Sequence, residues 1–191
     1  MPGSVPPVAD ERDGLMGYVA QQRLVVRIAA YGLSDDQARA TPTSSTLSVG
    51  GIVKHLAAVE RSWTGHMLQT PREPSGGFDA YQAGFLLGPD ETLQGALDDY
   101  DKACRATDDA VAGIADLGQA VPVPPAPWFP KDVEAWSVRW VLLHLIEETA
   151  RHAGHADIVR EAIDGASAYP LMAAAEGWPA TPWMEPWKPA S

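Results

Sequence analysis

Residues 137–165, SVRWVLLHLIEETARHAGHADIVREAIDG, are the stretch that decides the fold. They predict one long helix, because Ser137 is a favourable N-cap, no proline interrupts the run, and Asp164-Gly165 is a common C-terminal stop. Tryptophan, leucine and isoleucine recur along the stretch, which indicates that much of this helix is buried in a protein core. We expect the other segments of the chain to pack around this helix.

A narrow polar stripe runs along the same predicted helix. Residues three and four apart stack on one helical face. The stripe consists of Val141, His144, Glu148, His152, His155 and Val159. Three of the chain's five histidines thus share one face with a carboxylate between them. Because such a face needs either water or a bound group, and its surroundings are apolar, we predict an interior cleft that holds a metal ion.

Composition limits the class of protein. A chain of 191 residues with 46% hydrophobic and 20% charged residues predicts one globular domain over residues 1–191. The net charge of -11 argues against a nucleic-acid partner and against binding to anionic membrane surfaces. We also expect no signal peptide and no membrane span, since neither apolar pattern is present.

The single cysteine, Cys104, excludes an internal disulfide and suits a reducing, cytoplasmic compartment. It lies in an acidic helical stretch beside Asp101, Asp108 and Asp109, and negative neighbours should raise the pKa of a thiol. We therefore expect Cys104 to be inert and partly buried rather than a nucleophile.

Hydrophobic periodicity predicts four long helices, at residues 10–31, 48–68, 91–117 and 137–165. Long connections join them, so the predicted fold is an all-α four-helix bundle over residues 10–165 with long crossover loops. A flexible arm is expected at 1–9. The tail at 166–191 holds five prolines and three tryptophans, and we expect it to pack on the bundle.

The connections also carry predictions. Ser34-Asp35-Asp36-Gln37 is typical of a capped helical turn. Residues 70–90 are rich in glycine and proline and predict a loop over the bundle. Residues 121–130, VPVPPAPWFP, predict a rigid extended connector without regular structure, and no strand is expected in the chain.

His55 lies on the apolar face of the second predicted helix, whose favourable N-cap is Ser48. Gly50 and Gly51 fall in the first turn, where they do least harm to the helix and would allow another helix to approach closely. Glu60 and its neighbour Arg61 occupy ordinary charged positions, for which we expect at most an ion pair between helices.

A metal site can be built from His55, Glu148 and His152. Two imidazoles and one carboxylate from two helices leave coordination positions open, as in catalytic rather than structural sites. Nitrogen and oxygen ligands suit zinc, nickel, iron or manganese, and residue type does not choose among them. The alternative is that His55 is a core histidine and that Glu148 and His152 form a simple i, i+4 pair.

The remaining histidines compete for the same ion. His155 would be a neighbour of the ligands or a substrate contact. His144, one turn before Glu148, would be a fourth ligand or a packed neighbour. His66 lies three turns beyond His55, about 16 Å along the helix axis, and is too far to share the ion.

Two of these segments resemble a known family. TLSVGGIVKHLAAVERSW, residues 46–63, and WVLLHLIEETARHAGHADIVREAID, residues 140–164, are similar to the two signature helices of the DinB-like superfamily, most closely its actinobacterial branch. The resemblance implies an up-down-down-up four-helix bundle. It further implies a divalent metal, with zinc as the first expectation, held by His55, Glu148 and His152.

The resemblance also has a departure. In the commonest form of the superfamily both ligands on the last helix are histidines followed by Arg-Gly-Gln, whereas here Glu148 takes the first place and His152-Ala-Gly-His155 follows. A glutamate in that place is similar to the mycothiol-dependent maleylpyruvate isomerases of the superfamily. The glutamate is therefore compatible with a functional site.

The superfamily includes S-transferases that use mycothiol or bacillithiol. The resemblance thus implies a metal-dependent thiol S-transferase or isomerase of the detoxification type, acting on small electrophiles with a low-molecular-weight thiol as cosubstrate. A metal-dependent hydrolase and a metal-binding or small-ligand-binding protein without catalysis are the alternatives. A homodimer is compatible with the sequence but is not marked in it.

Overall fold

The computed structural model describes residues 4–70 and 82–189. Within them, the elements in chain order are α1 (Glu11–Ala30), α2 (Asp35–Arg39), α3 (Val49–Met67), α4 (Leu93–Gly113), β1 (Ala120–Pro122), β2 (Ala135–Ser137), α5 (Val138–Asp164) and α6 (Ala168–Glu176). The long helices α1, α3, α4 and α5 match the four predicted ones. The all-α fold is confirmed.

The ends of the long helices follow the local signals in the sequence. The side chain of Ser48 accepts a hydrogen bond from the backbone N–H of Gly51, and Ser137 accepts one from Trp140. Each satisfies one of the free N–H groups of a first helical turn. Gly165 ends α5 in the left-handed region at φ +75°, where an L side chain would be strained.

Helix α2 is the capped turn that the sequence predicts. The Ser34 side chain accepts from the backbone of Gln37, and the Gln37 side chain accepts from the backbone of Ser34, which completes a capping box. The short helix carries the chain from the end of α1 to the start of α3.

The four long helices pack as a bundle, with α3 between α4 and α5 and with α1 against α5. Two groups of buried apolar side chains fill the interior, one around Ile52, Leu56 and Tyr100 and the other around Trp63 and Leu142. His55 of α3 and the polar stripe of α5 therefore lie on helices that face each other. None of the helices in the described ranges is both long and apolar enough to cross a membrane.

The prediction that the chain has no strand is wrong. β1 and β2 form a short antiparallel ribbon in which Val121 pairs with Trp136. A two-stranded ribbon has only edge strands, and an edge strand tolerates proline, so Pro122 does not prevent pairing. Burial of Val121 in the core fixes the ribbon at the start of α5. The connector predicted at 121–130 thus begins in a strand.

The tail contains a helix that the sequence did not predict, α6, which packs against α1. Leu171 and Met172 join a buried group with Ile28. After α6, the ring of Trp187 meets Tyr31 edge-on at 6.0 Å, and the guanidinium of Arg160 lies 4.9 Å from the Trp187 ring. These contacts are at the C-terminal ends of α1 and α5.

The ion pair between helices that we expected at Glu60 is present, and it is buried in the bundle. Glu60 is 1% exposed and forms a bidentate ion pair with Arg23 of α1, at 2.7 and 2.9 Å. The acidic face of α4 also forms ion pairs with α1, since Asp101 binds Arg27 and Asp108 binds Arg23. The polar contacts between α1, α3 and α4 hold these helices in register.

Candidate metal centre

His55 enters the bundle from the second turn of α3. Its position on the apolar face buries the imidazole, which is 5% exposed. The N-cap at Ser48 begins the helix seven residues earlier and sets the phase that turns this histidine toward α5. The sequence-based placement of His55 on an interior face agrees with the structure.

Glu148 and His152 come from α5, one helical turn apart. Oε1 of Glu148 lies 3.1 Å from Nε2 of His55 and 3.4 Å from Nε2 of His152. One potential ligand atom from each of the three residues can be chosen so that all lie within 4.8 Å of one another. The structure thus brings the three predicted ligands together between α3 and α5.

The electrostatics of this group centre on the carboxylate. The hydrogen bond from His152 and then that from His55 hold the pKa of Glu148 well below its usual range, although partial burial opposes the effect. Glu148 is therefore an anion that accepts from both imidazoles. A negative oxygen between two imidazole nitrogens is a donor set that suits a divalent cation.

One ring nitrogen of His152 has no hydrogen-bond partner among the residues that the structure describes, which is compatible with an imidazole that binds a metal ion. Nδ1 of His152 is buried and has no hydrogen-bond partner within the described residues. A metal-ligating imidazole uses both nitrogens, one for the metal and one for a hydrogen-bond acceptor, so a cluster with an orphan nitrogen is incomplete as it stands. His55, Glu148 and His152 could hold a metal ion.

Of the other histidines, His155 lies beside this group, and His144 and His66 contact tryptophan. The His155 ring is 5.5 Å from that of His152, edge-on, and its Nδ1 is likewise buried without a partner in the described part of the chain. His144 instead stacks on Trp140 with an interplanar angle of 11° and meets Trp63 edge-on at 4.9 Å. His144 is thus a packed neighbour in this structure. His66 contacts Trp63 in the last turn of α3.

A comparison with known protein families shows to which family the chain belongs. A family model described as mycothiol-S-transferase matches residues 14–165, which include every long helix but the first three residues of α1. The chain belongs to the mycothiol-S-transferase family. The resemblance to the DinB-like superfamily is thereby confirmed. A search of curated proteins finds no match to the chain.

In this member of the mycothiol-S-transferase family, an aromatic residue that the sequence did not single out covers the group. The Phe85 ring stacks on His55 with a centroid distance of 3.9 Å and an interplanar angle of 16°. It also lies 5.6 Å from the His152 ring. Phe85 belongs to the glycine- and proline-rich loop predicted at 70–90, of which residues 71–81 lie outside the described ranges.

A ladder of aromatic rings runs from β2 into the start of α5, on the N-terminal side of Glu148. Trp136 and Trp140 stack at 4.0 Å with an angle of 6°, and His144 continues the stack one turn later. Trp63 of α3 meets these rings from the side. The i, i+4 spacing of Trp136, Trp140 and His144 is visible in the sequence, but the near-parallel alignment of their rings is seen only in the structure.

The only cysteine of the chain stands apart from this group. Cys104 is buried on α4, where Arg27 lies 3.6 Å from its sulfur and Glu60 lies 3.9 Å away. Burial raises its pKa to about 11, against the lowering effect of Arg23. The expected direction of the shift is correct, but burial is its main cause, where the sequence had suggested the neighbouring aspartates.

Proposed function

We propose that this chain is a metal-dependent S-transferase that joins a mycothiol-type thiol to a small electrophile. The observation that carries the proposal is the convergence of His55, Glu148 and His152 in a chain of the mycothiol-S-transferase family. Three protein ligands leave coordination positions for water or substrate, which is typical of a catalytic metal site.

The two imidazoles and the carboxylate would hold the divalent ion, for which zinc is our first expectation and nickel, iron or manganese the alternatives. Such an ion, when bound, supplies a Lewis acid that lowers the pKa of a thiol and so favours thiolate at neutral pH. Glu148 offsets part of the ion's charge. Phe85 covers one face of His55 and limits the access of water to that side.

The thiol has to come from a cosubstrate. Cys104 is the only cysteine in the sequence, and it is buried with a pKa raised to about 11. At neutral pH it stays a thiol, and the thiolate is the nucleophilic form. The chain therefore has no sulfur nucleophile of its own.

The transfer forms a bond between the sulfur of the cosubstrate and the electrophilic carbon. The bond from that carbon to its leaving group breaks, the leaving group departs with the electron pair, and the thiol proton passes to solvent. With an electrophilic double bond there is no leaving group, and the neighbouring carbon takes up the proton. If that carbon then gives up the proton while the C–S bond breaks, the thiol is released and the double bond re-forms in the other configuration, which is the isomerase form of this proposal.

The aromatic ladder supports a small, apolar electrophile as the second substrate. His144, Trp140 and Trp63 lie along the same pair of helices as the proposed ligands and are partly or fully shielded from solvent. Apolar rings of this kind bind carbon-rich molecules better than charged ones.

The test begins with protein purified without a histidine tag. Metal content is measured by elemental analysis, and mycothiol is then offered with monobromobimane while the conjugate is followed by mass spectrometry. We expect near-stoichiometric metal and conjugation above the uncatalysed rate. Both should be lost in His55→Ala and in His152→Ala and retained in His66→Gln, which removes a histidine outside the group.

Two results would overturn the proposal. Ester or amide turnover that needs the metal but no thiol would identify a hydrolase. Wild-type protein that takes up no zinc, nickel, iron or manganese on dialysis would point to a ligand-binding bundle without metal catalysis.

A further inference from the structure

The glycine pair at the start of α3 lies close to another segment, with Gly51 against the backbone of Phe85 and Gly50 against the side chain of Leu87. A Cβ built on Gly51 would overlap the carbonyl oxygen of Phe85 and lie 2.7 Å from its carbonyl carbon. A Cβ on Gly50 would lie 2.7 Å from Cδ2 of Leu87. Neither glycine has a positive φ. Gly51 is therefore required by close approach to a backbone rather than by a turn, and the partner is an irregular segment where the sequence suggested another helix.

That segment, residues 85–91, is here called the clamp segment because several contacts tie it to α3. The ammonium of Lys54 donates to the carbonyl of Leu86 at 3.0 Å and to both carboxylate oxygens of Glu91 at 2.7 Å. Glu91 in turn accepts from the backbone N–H of Gly88. Lys54 is the residue before His55, so these bonds fasten the clamp segment beside the proposed metal centre.

The other side of the clamp segment is fastened to α2 and the core. The guanidinium of Arg39 donates to the carbonyl oxygens of Gly88 and Glu91. Leu87 is buried in the apolar group that contains Ile52. Because both ionic and apolar contacts hold the clamp segment, it has little freedom to move Phe85 away from α3.

This anchoring determines the position of the Phe85 ring. Phe85 lies nearly parallel to the His55 imidazole at 3.9 Å, while Glu148 contacts Nε2 of the same imidazole at 3.1 Å. A ring held between a stacked phenyl and a hydrogen-bonded carboxylate cannot rotate without losing one of the two contacts. These two contacts together set the orientation of the His55 ring.

We infer that Phe85 is a positioning residue that holds the His55 imidazole in its metal-binding orientation, and that Gly50, Gly51 and the clamp segment hold Phe85. The inference deepens the proposed function and rests on it for the identity of the bound ion. Residues that orient a metal ligand commonly contribute a factor of about 10–100 to metal affinity. Phe85 acts here through His55.

Zinc titration against a chromophoric chelator measures the effect directly. We expect Phe85→Ala to raise the zinc dissociation constant about 10–100-fold and Phe85→Tyr, which keeps a stacked ring, to restore most of the affinity. The visible spectrum of the cobalt(II)-loaded protein should change in Phe85→Ala and not in Phe85→Tyr. Leu86→Ala is the matched control, because Leu86 follows Phe85 in the clamp segment with 57% of its surface exposed.

The glycine pair provides a second variant. Gly51→Ala should displace the Phe85 backbone and weaken zinc binding as Phe85→Ala does, whereas Gly113→Ala, where an added Cβ meets no atom within 4 Å, should leave zinc binding unchanged. Circular dichroism verifies that each variant is folded. Folded Phe85→Ala protein with wild-type zinc affinity and an unchanged cobalt spectrum would refute the inference.

A measurement without metal separates this inference from the proposed function. In the metal-free protein, NMR should show the His55 ring protons shifted by the ring current of Phe85, and the shift should vanish in Phe85→Ala. If wild-type protein binds no metal, the proposed function fails, and the His55 shifts still decide whether Phe85 holds the ring. Equal His55 shifts in wild type and Phe85→Ala would refute the positioning role.

Discussion

Oε1 of Glu148 lies 3.1 Å from Nε2 of His55 and thereby joins α5 to α3 at the proposed metal centre. The same oxygen lies 3.4 Å from Nε2 of His152. One carboxylate oxygen thus faces both imidazoles, and the rings of the two histidines are 4.8 Å apart. Both imidazole nitrogens therefore face the negative charge of Glu148.

Glu148→Gln keeps the shape of the side chain but removes its charge. Because a neutral amide is a poor ligand for a divalent ion, we expect zinc affinity to fall at least about 100-fold, more than for a residue that only orients a ligand. Zinc titration measures the change. Glu147→Gln is the control, since the Glu147 side chain is 66% exposed and adjacent in sequence. Equal zinc affinity in the two variants would contradict the assignment of Glu148.

The elements that the sequence predicts well are those with local causes. α5 begins after Ser137 and ends at Gly165, because capping and left-handed termination depend on a few adjacent residues. His55, Glu148 and His152 could also be grouped from sequence, since helical periodicity places them on interior faces. Once two such faces belong to neighbouring helices, their ligands meet.

The features that the sequence could not supply depend on contacts distant in the chain. Phe85 stacks on His55 because Gly51, which has no Cβ, lets the backbone of Phe85 approach α3 closely. No residue pattern near Phe85 in the sequence indicates this contact. The β1–β2 ribbon depends on burial of Val121 under the start of α5. The partner of Glu60 lies 37 residues earlier on α1, and no local pattern links them.

The buried pair of Arg23 and Glu60 leads to a prediction about stability. The two side chains are 4% and 2% exposed, and Thr107 donates a further hydrogen bond to Glu60. Removing the charge of Glu60 leaves the buried guanidinium of Arg23 with only the half-exposed Asp108 as an ionic partner. We expect Glu60→Gln to lower the free energy of unfolding by about 3–5 kcal/mol, measured by urea denaturation.

The control for this pair is the exposed pair of Arg61 and Asp99, whose side chains are 48% and 51% exposed. Arg61→Ala should change the free energy of unfolding by about 0–1 kcal/mol. The double variant Arg23→Met, Glu60→Leu should recover much of the stability lost in Glu60→Gln, because two apolar residues leave no buried charge unpaired and Asp108, which loses Arg23, is half-exposed. A double variant less stable than Glu60→Gln would show that the pair is favourable in itself.

Cys104 should be unreactive in the native protein. Because burial raises its pKa to about 11, roughly 0.1% of the sulfur is thiolate at pH 8. We expect no reaction with dithionitrobenzoate in native protein and one thiol per chain in guanidinium chloride. Cys104→Ala should retain mycothiol conjugation. Loss of conjugation in folded Cys104→Ala would mean that the chain supplies its own sulfur after all.

The two tryptophans late in the tail should differ in their effect on stability. Trp187 contacts Tyr31 and Arg160, and a Cβ on Gly32 would lie 2.7 Å from its ring, whereas Trp183 is 82% exposed. Trp187→Ala should lower the free energy of unfolding by about 1–3 kcal/mol, and Trp183→Ala should change it by less than about 0.5 kcal/mol. Similar values from urea denaturation would show that the contacts of Trp187 contribute little.

Asp157 on α5 predicts a pH dependence of stability. Burial, and then the charge of Glu161, raise its pKa to about 6. The native state therefore binds the proton of Asp157 more tightly than the unfolded chain does, because the pKa of an aspartate in an unfolded chain is near 3.9. The contribution of Asp157 to stability is complete below pH 4 and is lost as the pH rises through 6.

Asp157→Asn should therefore stabilise the protein at pH 8 and have little effect at pH 4. The full shift corresponds to about 3 kcal/mol, and partial solvent exposure reduces the expected gain to about 1–2 kcal/mol. Urea denaturation of both proteins at pH 4, 6 and 8 measures the difference. Glu161→Gln removes only the neighbouring charge and should give a smaller gain at pH 8. A gain for Asp157→Asn that is equal at all three pH values would contradict the raised pKa and indicate a packing effect of the amide.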